Sequence, residues 1–373
     1  TGIVLDGKRP PTVFSPGLVS PSLTWETITS TNVGLDLGLL ANKVSISGDV
    51  YWRYTRNMLT AGQTLPITLG TSVPLENAAD LKTRGWELTI GYHDTYQIAE
   101  KSGQFSVRFN LSDSRAFIEK FDNPKNNLND YYVGSEIGDI WGLTTLGFFQ
   151  SADEIKNHAD QTAVTSYPGT RSLEPGDLKF ADLNGDGKVD RGDWTLANPG
   201  DYKIIGNSRQ RYNFGLDLSS SWNGLDFRVF LQGVGKRHYY PGGGDHYFWG
   251  IYAQPWASLT QFNLDHWTTE NPNAYLPRPK SYVAEQGGVE LAAAQTKYLQ
   301  NAGYLRVKNI TIGYSLPNSL TDRWGIERIR LFASGENLME FTRLMDYLDP
   351  EIVGDRTAYP FQRTYSMGLN FNF

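Results

Sequence analysis

The chain has 373 residues, no Cys and a formal net charge of −6. These exclude disulfides and thiolate metal sites and argue against nucleic acid as a partner. Aromatics make up 13%, with 10 Trp and 21 Tyr, yet hydrophobic residues reach only 39% and the mean hydropathy is −0.42. No apolar run approaches the roughly 18 residues of a spanning helix, so a membrane protein of this composition has to cross by strands that show lipid only alternate side chains.

Residues 1–24, with irregular stretches at Lys8 to Pro11 and Ser15 to Pro21, are expected to be the end of an outer loop. Period-two alternation then predicts nine strands, near 25–40, 43–58, 83–95, 103–117, 207–222, 225–236, 304–316, 326–339 and 361–373. In the second, Val44, Ile46, Val50, Trp52 and Tyr54 oppose Ser45, Ser47, Asp49, Tyr51 and Arg53. Trp86, Leu88, Ile90 and Tyr92 mark the third, Phe105, Val107, Phe109 and Leu111 the fourth. Tyr212, Phe214, Leu216, Leu218 and Trp222 mark the fifth, and Asn223-Gly224 predicts a tight hairpin into the sixth. Leu305 and Val307 fall out of phase with Ile310, Ile312 and Tyr314, which predicts a bulge near Lys308 and Asn309. The chain closes on Tyr365, Met367, Leu369, Phe371 and Phe373, alternating with Ser366, Gly368, Asn370 and Asn372.

The connections alternate in length. Short ones fall at 41–42, 96–102, 223–224 and 317–325, long ones at 59–82, 118–206, 237–303 and 340–360. Tight periplasmic turns and large outer loops form this pattern in outer-membrane barrels, which places Phe373 at the periplasm. Tyr212 to Trp222 spans about 23 Å of height at a tilt of roughly 45°, close to the apolar band of such barrels. The fold class expected is therefore all-β, a transmembrane antiparallel β-barrel over 25–373, with Val50, Trp52, Trp86, Tyr212, Leu216, Trp222, Met367 and Phe371 facing lipid. An odd strand count would leave an open edge in hydrocarbon, so the chain is expected to be part of a larger barrel. A large secreted β-protein would share the alternation.

Two loop features point to ligands. In Asp182-Leu-Asn-Gly-Asp-Gly-Lys-Val-Asp-Arg-Gly-Asp193, oxygen-bearing side chains fall at Asp182, Asn184, Asp186, Asp190 and Asp193, with the Lys188 carbonyl between them and Gly187 at the sharp turn. That spacing suits Ca2+, a hard cation taking six to eight oxygens. Asp at the twelfth position resembles dockerin loops, and a plain solvated turn is the alternative. In the 237–303 loop, Tyr239, Tyr240, Trp249 and Trp256 offer faces for sugar rings or peptide side chains, and Asp245 or His246 can bond hydroxyls. The competing reading packs these rings as a loop core or a partner's seat. No catalytic residue is assigned. The five His are scattered, and neither a nucleophile elbow nor a phosphate loop occurs.

Several blocks resemble the carboxyl-terminal half of SusC-family TonB-dependent transporters: Leu23-Thr-Trp-Glu-Thr27, Asn32-Val-Gly-Leu-Asp36, Tyr54-Thr-Arg-Asn-Met-Leu59, Thr83-Arg-Gly-Trp-Glu-Leu88, Trp267-Thr-Thr-Glu-Asn-Pro-Asn-Ala274, Tyr304 to Tyr314, Gly335-Glu-Asn-Leu338 and Asp349-Pro-Glu351. They run in order from Leu23 to Phe373. The resemblance implies the last nine strands of a barrel of about 22, with an amino-terminal plug and further strands outside this chain. It further implies TonB coupling through that missing segment, and a SusD-like surface lipoprotein. The setting it implies is the outer membrane of a Gram-negative, Bacteroidota-like cell. The cargo is expected to be oligosaccharide on the strength of the loop aromatics, with peptide as the alternative. A secreted glycan-binding protein or a glycosidase is the reading outside the family.

Overall fold

The computed structural model describes residues 7, 18–21, 23–61, 73–165, 173–242, 245–253, 256–257, 259–279, 290–355, 358–359 and 361–373. Most of the segment 1–24 lies outside them. Nine long strands are labelled in chain order: β1 (Thr27–Leu39), β2 (Val44–Ala61), β3 (Leu75–Ile98), β4 (Lys101–Lys120), β5 (Arg211–Trp222), β6 (Leu225–Lys236), β7 (Tyr304–Ser315), β8 (Arg328–Thr342) and β9 (Thr364–Asn372). They form one nine-stranded sheet in sequence order, each strand antiparallel to the next, with β1 and β9 at its edges.

Turn chemistry explains the short end of this meander. Asn223 and Gly224 take φ of 47° and 85°, the pair of left-handed residues that a twisted two-residue hairpin requires. Ala99 and Glu100 adopt the same region without glycine, at φ 50° and 60°. The strands therefore continue to Ile98 and from Lys101, and the longer turn expected over 96–102 contracts to two residues. At the other end, the described parts of the loop expected over 59–82 are mostly strand, β2 running on to Ala61 and β3 starting at Leu75. Asn57, at φ 57°, sits in an irregular stretch that shifts the β2–β3 register between Thr55 and Leu59. Pairing then resumes through Leu59 with Asn77. That slip hides the strand from an alternation search. The bulge expected in β7 is present: Val307 pairs with Leu231 and Asn309 with Phe230, leaving Lys308 as the extra residue.

Register sorts the side chains onto two faces. Ile46, Ile90, Phe109, Leu216, Leu231, Val307 and Met339 form one continuous row across β2 to β8. The neighbouring row, on the opposite face, reads Thr89, Asn110, Gly215, Gln232, Arg306 and Glu340. Among the described residues no second layer covers the apolar face: Val33, Leu35 and Met367 are 66%, 61% and 91% exposed. The main buried core lies elsewhere, in the long connections after β4 and β6. Leu143, Phe148, Leu178, Phe180 and Val189 from the first join Phe248, Trp249, Tyr252, Leu276, Leu291 and Tyr298 from the second. Among the described residues no helix is long and apolar enough to cross a membrane.

Candidate functional site

The polar face of the sheet is cross-linked by side chains, and neighbouring strands supply each partner. Ser47 Oγ donates to Asp36 at 2.5 Å, Thr89 Oγ1 to Asn110 at 3.1 Å, and Arg228 Nε to Asp217 at 3.2 Å. Arg330 Nε reaches across β7 to Asp226 at 2.8 Å, passing over Gly313, where a Cβ would collide with both partners. These groups make this face polar and charged, tied together by side-chain hydrogen bonds.

At the loop end of that face sits an ionic cluster. Arg306, 3% exposed, ion-pairs with Glu340, with Asp349 at 2.9 Å and with Glu351 at 2.7 Å. The Glu351 contact is a close approach of charges whose angle is poor for a hydrogen bond. Lys308 also meets Glu351 at 2.7 Å, and the Phe361 ring lies 5.1 Å from the Arg306 guanidinium and 4.7 Å from the Lys308 ammonium. A buried guanidinium is costly unless it is paired; here Glu340 accepts from Nη2, and Asp349 and Glu351 balance the charge at ion-pair distance. The cluster ties the Asp349-Pro350-Glu351 segment down onto β7.

The long connections after β4 and β6 act as one packed unit. Leu143 N–H donates to Ala294 O at 2.8 Å and Leu178 N–H to the Glu290 carboxylate at 2.7 Å, joining the two long connections. Within this unit Trp249 is fully buried, with its Nε1 donating to Pro241 O at 2.8 Å and its ring 5.0 Å from that of Tyr298. Asp245 is buried beneath the Tyr239 hydroxyl, which donates to it at 2.6 Å, and the Tyr240 hydroxyl donates to Leu291 O at 2.6 Å. Of the residues expected to meet substrate, these four thus serve as loop core and its hydrogen bonds. Trp249 and Asp245 present no free face. Trp256 stays 79% exposed, and the side chain of His246 lies outside the described part of the structure. Burial pushes the hydroxyls of Tyr252 and Tyr298 well above the ordinary tyrosine range and lowers the Lys297 ammonium.

The 182–193 loop is built from carboxylates that hold backbone amides. Asp182 accepts from Gly185 at 2.6 Å and Gly187 at 2.9 Å, Asn184 from Asp186 at 2.9 Å, Asp186 from Lys188 at 2.9 Å, and Asp190 from Gly192 at 2.6 Å. Asp193 accepts instead from the Asn198 amide at 3.0 Å. Gly187 takes φ 81°, the left-handed turn expected of it, and the Lys188 carbonyl falls at the start of the tie to Asp160 that buries Val189. Among the described residues no three or more His, Cys, Asp or Glu side chains gather as a ready ligand set. A residue outside the motif closes the loop: Asp201, fully buried, accepts from Leu183 at 2.6 Å and Asp190 at 2.9 Å.

Comparison with known proteins places this geometry. No protein-family model matches the chain. It is 27% identical over 383 residues to TonB-dependent receptor P3 of Formosa agariphila, covering 94% of this chain and 34% of that protein. Against TonB-dependent receptor SusC of Bacteroides thetaiotaomicron it is 25% identical over 369 residues, covering 96% of this chain and 33% of the relative. This chain is a relative of the SusC-like TonB-dependent receptors. It spans about a third of the length of those receptors. The solved RagAB peptide transporter superposes with a TM-score of 0.70 at 20% identity, over 99% of this chain and 38% of that one. A likeness at that identity establishes the fold.

The blocks that carry the resemblance have a physical reason in this chain. Arg306 and Lys308 lie in the Tyr304–Tyr314 block, and their partners Asp349 and Glu351 in another. Sequence reading singled out both blocks but not their union. The available signal was two cations on a strand and two acids flanking a proline, which fixes no pairing. Asp201 was also missed, although Pro199-Gly200 just before it marks the end of a tight loop.

Proposed function

We propose that this chain is a strand-bearing part of an outer-membrane importer energised through TonB, its apolar face against lipid and its polar face lining the transport path. The observation that carries the reading is the two-faced meander: nine antiparallel strands with one continuous apolar row and one hydrogen-bonded polar row, tight turns at one end and large loops at the other. On β3, the ten steps from Trp86 to Tyr96 cover about 23 Å of height, the span of a barrel's apolar band with aromatics at its rims. Both sheet edges are open, and strands from the rest of a longer receptor would satisfy them, since unpaired backbone in hydrocarbon costs several kcal/mol per group. The packed outer loops offer a broad platform for a SusD-like lipoprotein.

For cargo, oligosaccharide rests on the aromatic loops, and the burial of Trp249 and the engagement of Tyr239 and Tyr240 remove much of that stacking surface. The charged pairs along the polar face favour the peptide alternative, whose backbone and termini they can bond. The test uses the absence of Cys: single Cys residues placed at Val50, Leu216 or Met367, and at Ser47 or Ser219, carry spin labels in the full receptor. Labels in the first group should be reached by oxygen dissolved in lipid, and in the second by a water-soluble relaxant. Equal accessibility sinks the membrane reading.

The 182–193 loop is proposed to take Ca2+, with Asp182, Asn184, Asp186, Asp190, Asp193 and the Lys188 carbonyl as the oxygens that would hold it. Their spacing, the turn at Gly187 and the clamp from Asp201 support this reading. Binding requires carboxylates that now accept amide N–H to turn toward an ion. Calorimetry should show uptake at up to millimolar Ca2+ that Asp182→Ala with Asp186→Ala abolishes, while the strands stay folded. Absence of heat from the parent protein ends the idea.

A further inference from the structure

Above its apolar band, the outer face of β2 to β4 changes character. On β3 the outward series Tyr92, Ile90, Leu88 and Trp86 continues into Arg84 and Lys82; on β4, Phe109 and Leu111 give way to Asp113, Arg115 and Phe117; on β2, Trp52 and Tyr54 are followed by Arg56. The cations therefore stand on the same side as the apolar row, one to three steps beyond Trp86 and its partner Val50, with Arg84 level with Trp52 and Lys82 level with Tyr54, at the end that carries the long loops. Four of them share two aromatic rings. Arg84 and Arg115 each lie 4.9 Å from the Phe117 ring, and Lys82 lies 5.4 Å from that of Tyr54, with Arg56 at 5.9 Å.

Arg84 and Arg115 are direct cross-strand partners, a like-charge pairing that costs stability unless an anion relieves it. Glu136 relieves Arg115, through a bidentate contact, and Glu119 lies 3.7 Å from Lys82. Arg84 and Arg56 are exposed and have no carboxylate partner among the described residues. Arg115 lines a cavity of about 470 Å³ together with Glu136, and a second of about 330 Å³ is lined by Lys82, Arg84, Phe117, Ile118, Glu119, Val133 and Gly134.

We propose that this patch binds the phosphorylated headgroup of an outer-leaflet glycolipid, with Arg84 and Lys82 on phosphate and the paired Trp86 and Val50, one step nearer the apolar band, at the level of the acyl chains. The inference rests on the membrane reading above, since only there does height along the strand select a lipid over a free anion. Near a membrane surface each Lys or Arg strengthens anionic lipid binding by about fivefold.

The test uses the full receptor in nanodiscs and three probes: diphosphorylated lipid A, the same lipid with its phosphates removed, and inorganic phosphate. Native mass spectrometry should show diphosphorylated lipid A retained over the phosphate-free lipid. Arg84→Gln with Lys82→Gln should lower that retention roughly thirtyfold, while Arg108→Gln on the polar face leaves it unchanged. Equal retention of both lipids overturns the proposal without needing a variant, as does displacement by millimolar inorganic phosphate. Spin-label accessibility at Leu216 and Ser219, measured on the same sample, separates the outcomes: lipid exposure at Leu216 with no phosphate preference removes this site alone, whereas equal accessibility removes the membrane reading with it.

Discussion

The nine-stranded sheet and the packed long loops bury apolar side chains by different rules. In the sheet, backbone hydrogen bonds fix the strands and the apolar face is left uncovered, with Met367 91% and Val33 66% exposed. In the loops there is little regular ladder, and order comes from rings packed on rings, Phe248 on Trp249 at 4.7 Å and Trp249 on Tyr298 at 5.0 Å. The sheet needs a solvent for one face. The loops carry their own interior. A substitution should therefore damage one region and spare the other.

The largest effect is expected in the loops. Trp249→Ala removes a fully buried indole and its hydrogen bond to Pro241, at a cost of about 3–5 kcal/mol to the loop unit. Hydrogen exchange should show amides of the loop unit losing protection while those of β5 and β6 keep theirs. Loss of protection in both regions together would erase the distinction between them.

The converse break is Leu216→Arg. Leu216 lies in the middle of the apolar row, between Phe109 and Leu231, where a guanidinium near the bilayer midplane costs about 2–4 kcal/mol. Ser219→Arg, one face over, should cost about zero. A folding titration in lipid that finds the two equal contradicts a lipid-facing sheet.

The same contrast explains what was legible beforehand. Strand faces are a local property, so Val44 to Tyr54 and Tyr212 to Trp222 declare themselves by alternation alone, and even the extra residue at Lys308 shows as a break in phase. The far ends of β2 and β3 were hidden because the irregularity at Asn57 shifts the register. The loop core was visible only as aromatic composition. Whether Trp249 stacks on a sugar or on Tyr298 depends on a residue in a distant segment, and nothing local distinguishes the two. The oxygen spacing of the 182–193 loop could be counted directly, yet its clamp, Asp201, lies outside the counted motif.

A smaller effect sharpens the boundary between the regions. His238 stands where the outer loops meet the sheet, pairing with Asn301, and its Nδ1 accepts the Asn207 N–H at 3.1 Å. Burial lowers its pKa below the ordinary histidine value, and the nearby Lys236 charge acts in the same direction. An amide donating to Nδ1 also requires the lone pair that protonation would occupy. The folded state therefore binds this proton less readily than the unfolded chain does. Stability contributed here is fully present above the unfolded histidine value near pH 6.5, declines as the pH falls below it, and levels off beneath the depressed folded value. Exchange of the Asn207 amide, followed from pH 8 to 5, should accelerate beyond its intrinsic pH trend in that window, and His238→Gln should flatten the response. An unchanged profile in the variant would show that some other group sets the acid sensitivity of this junction.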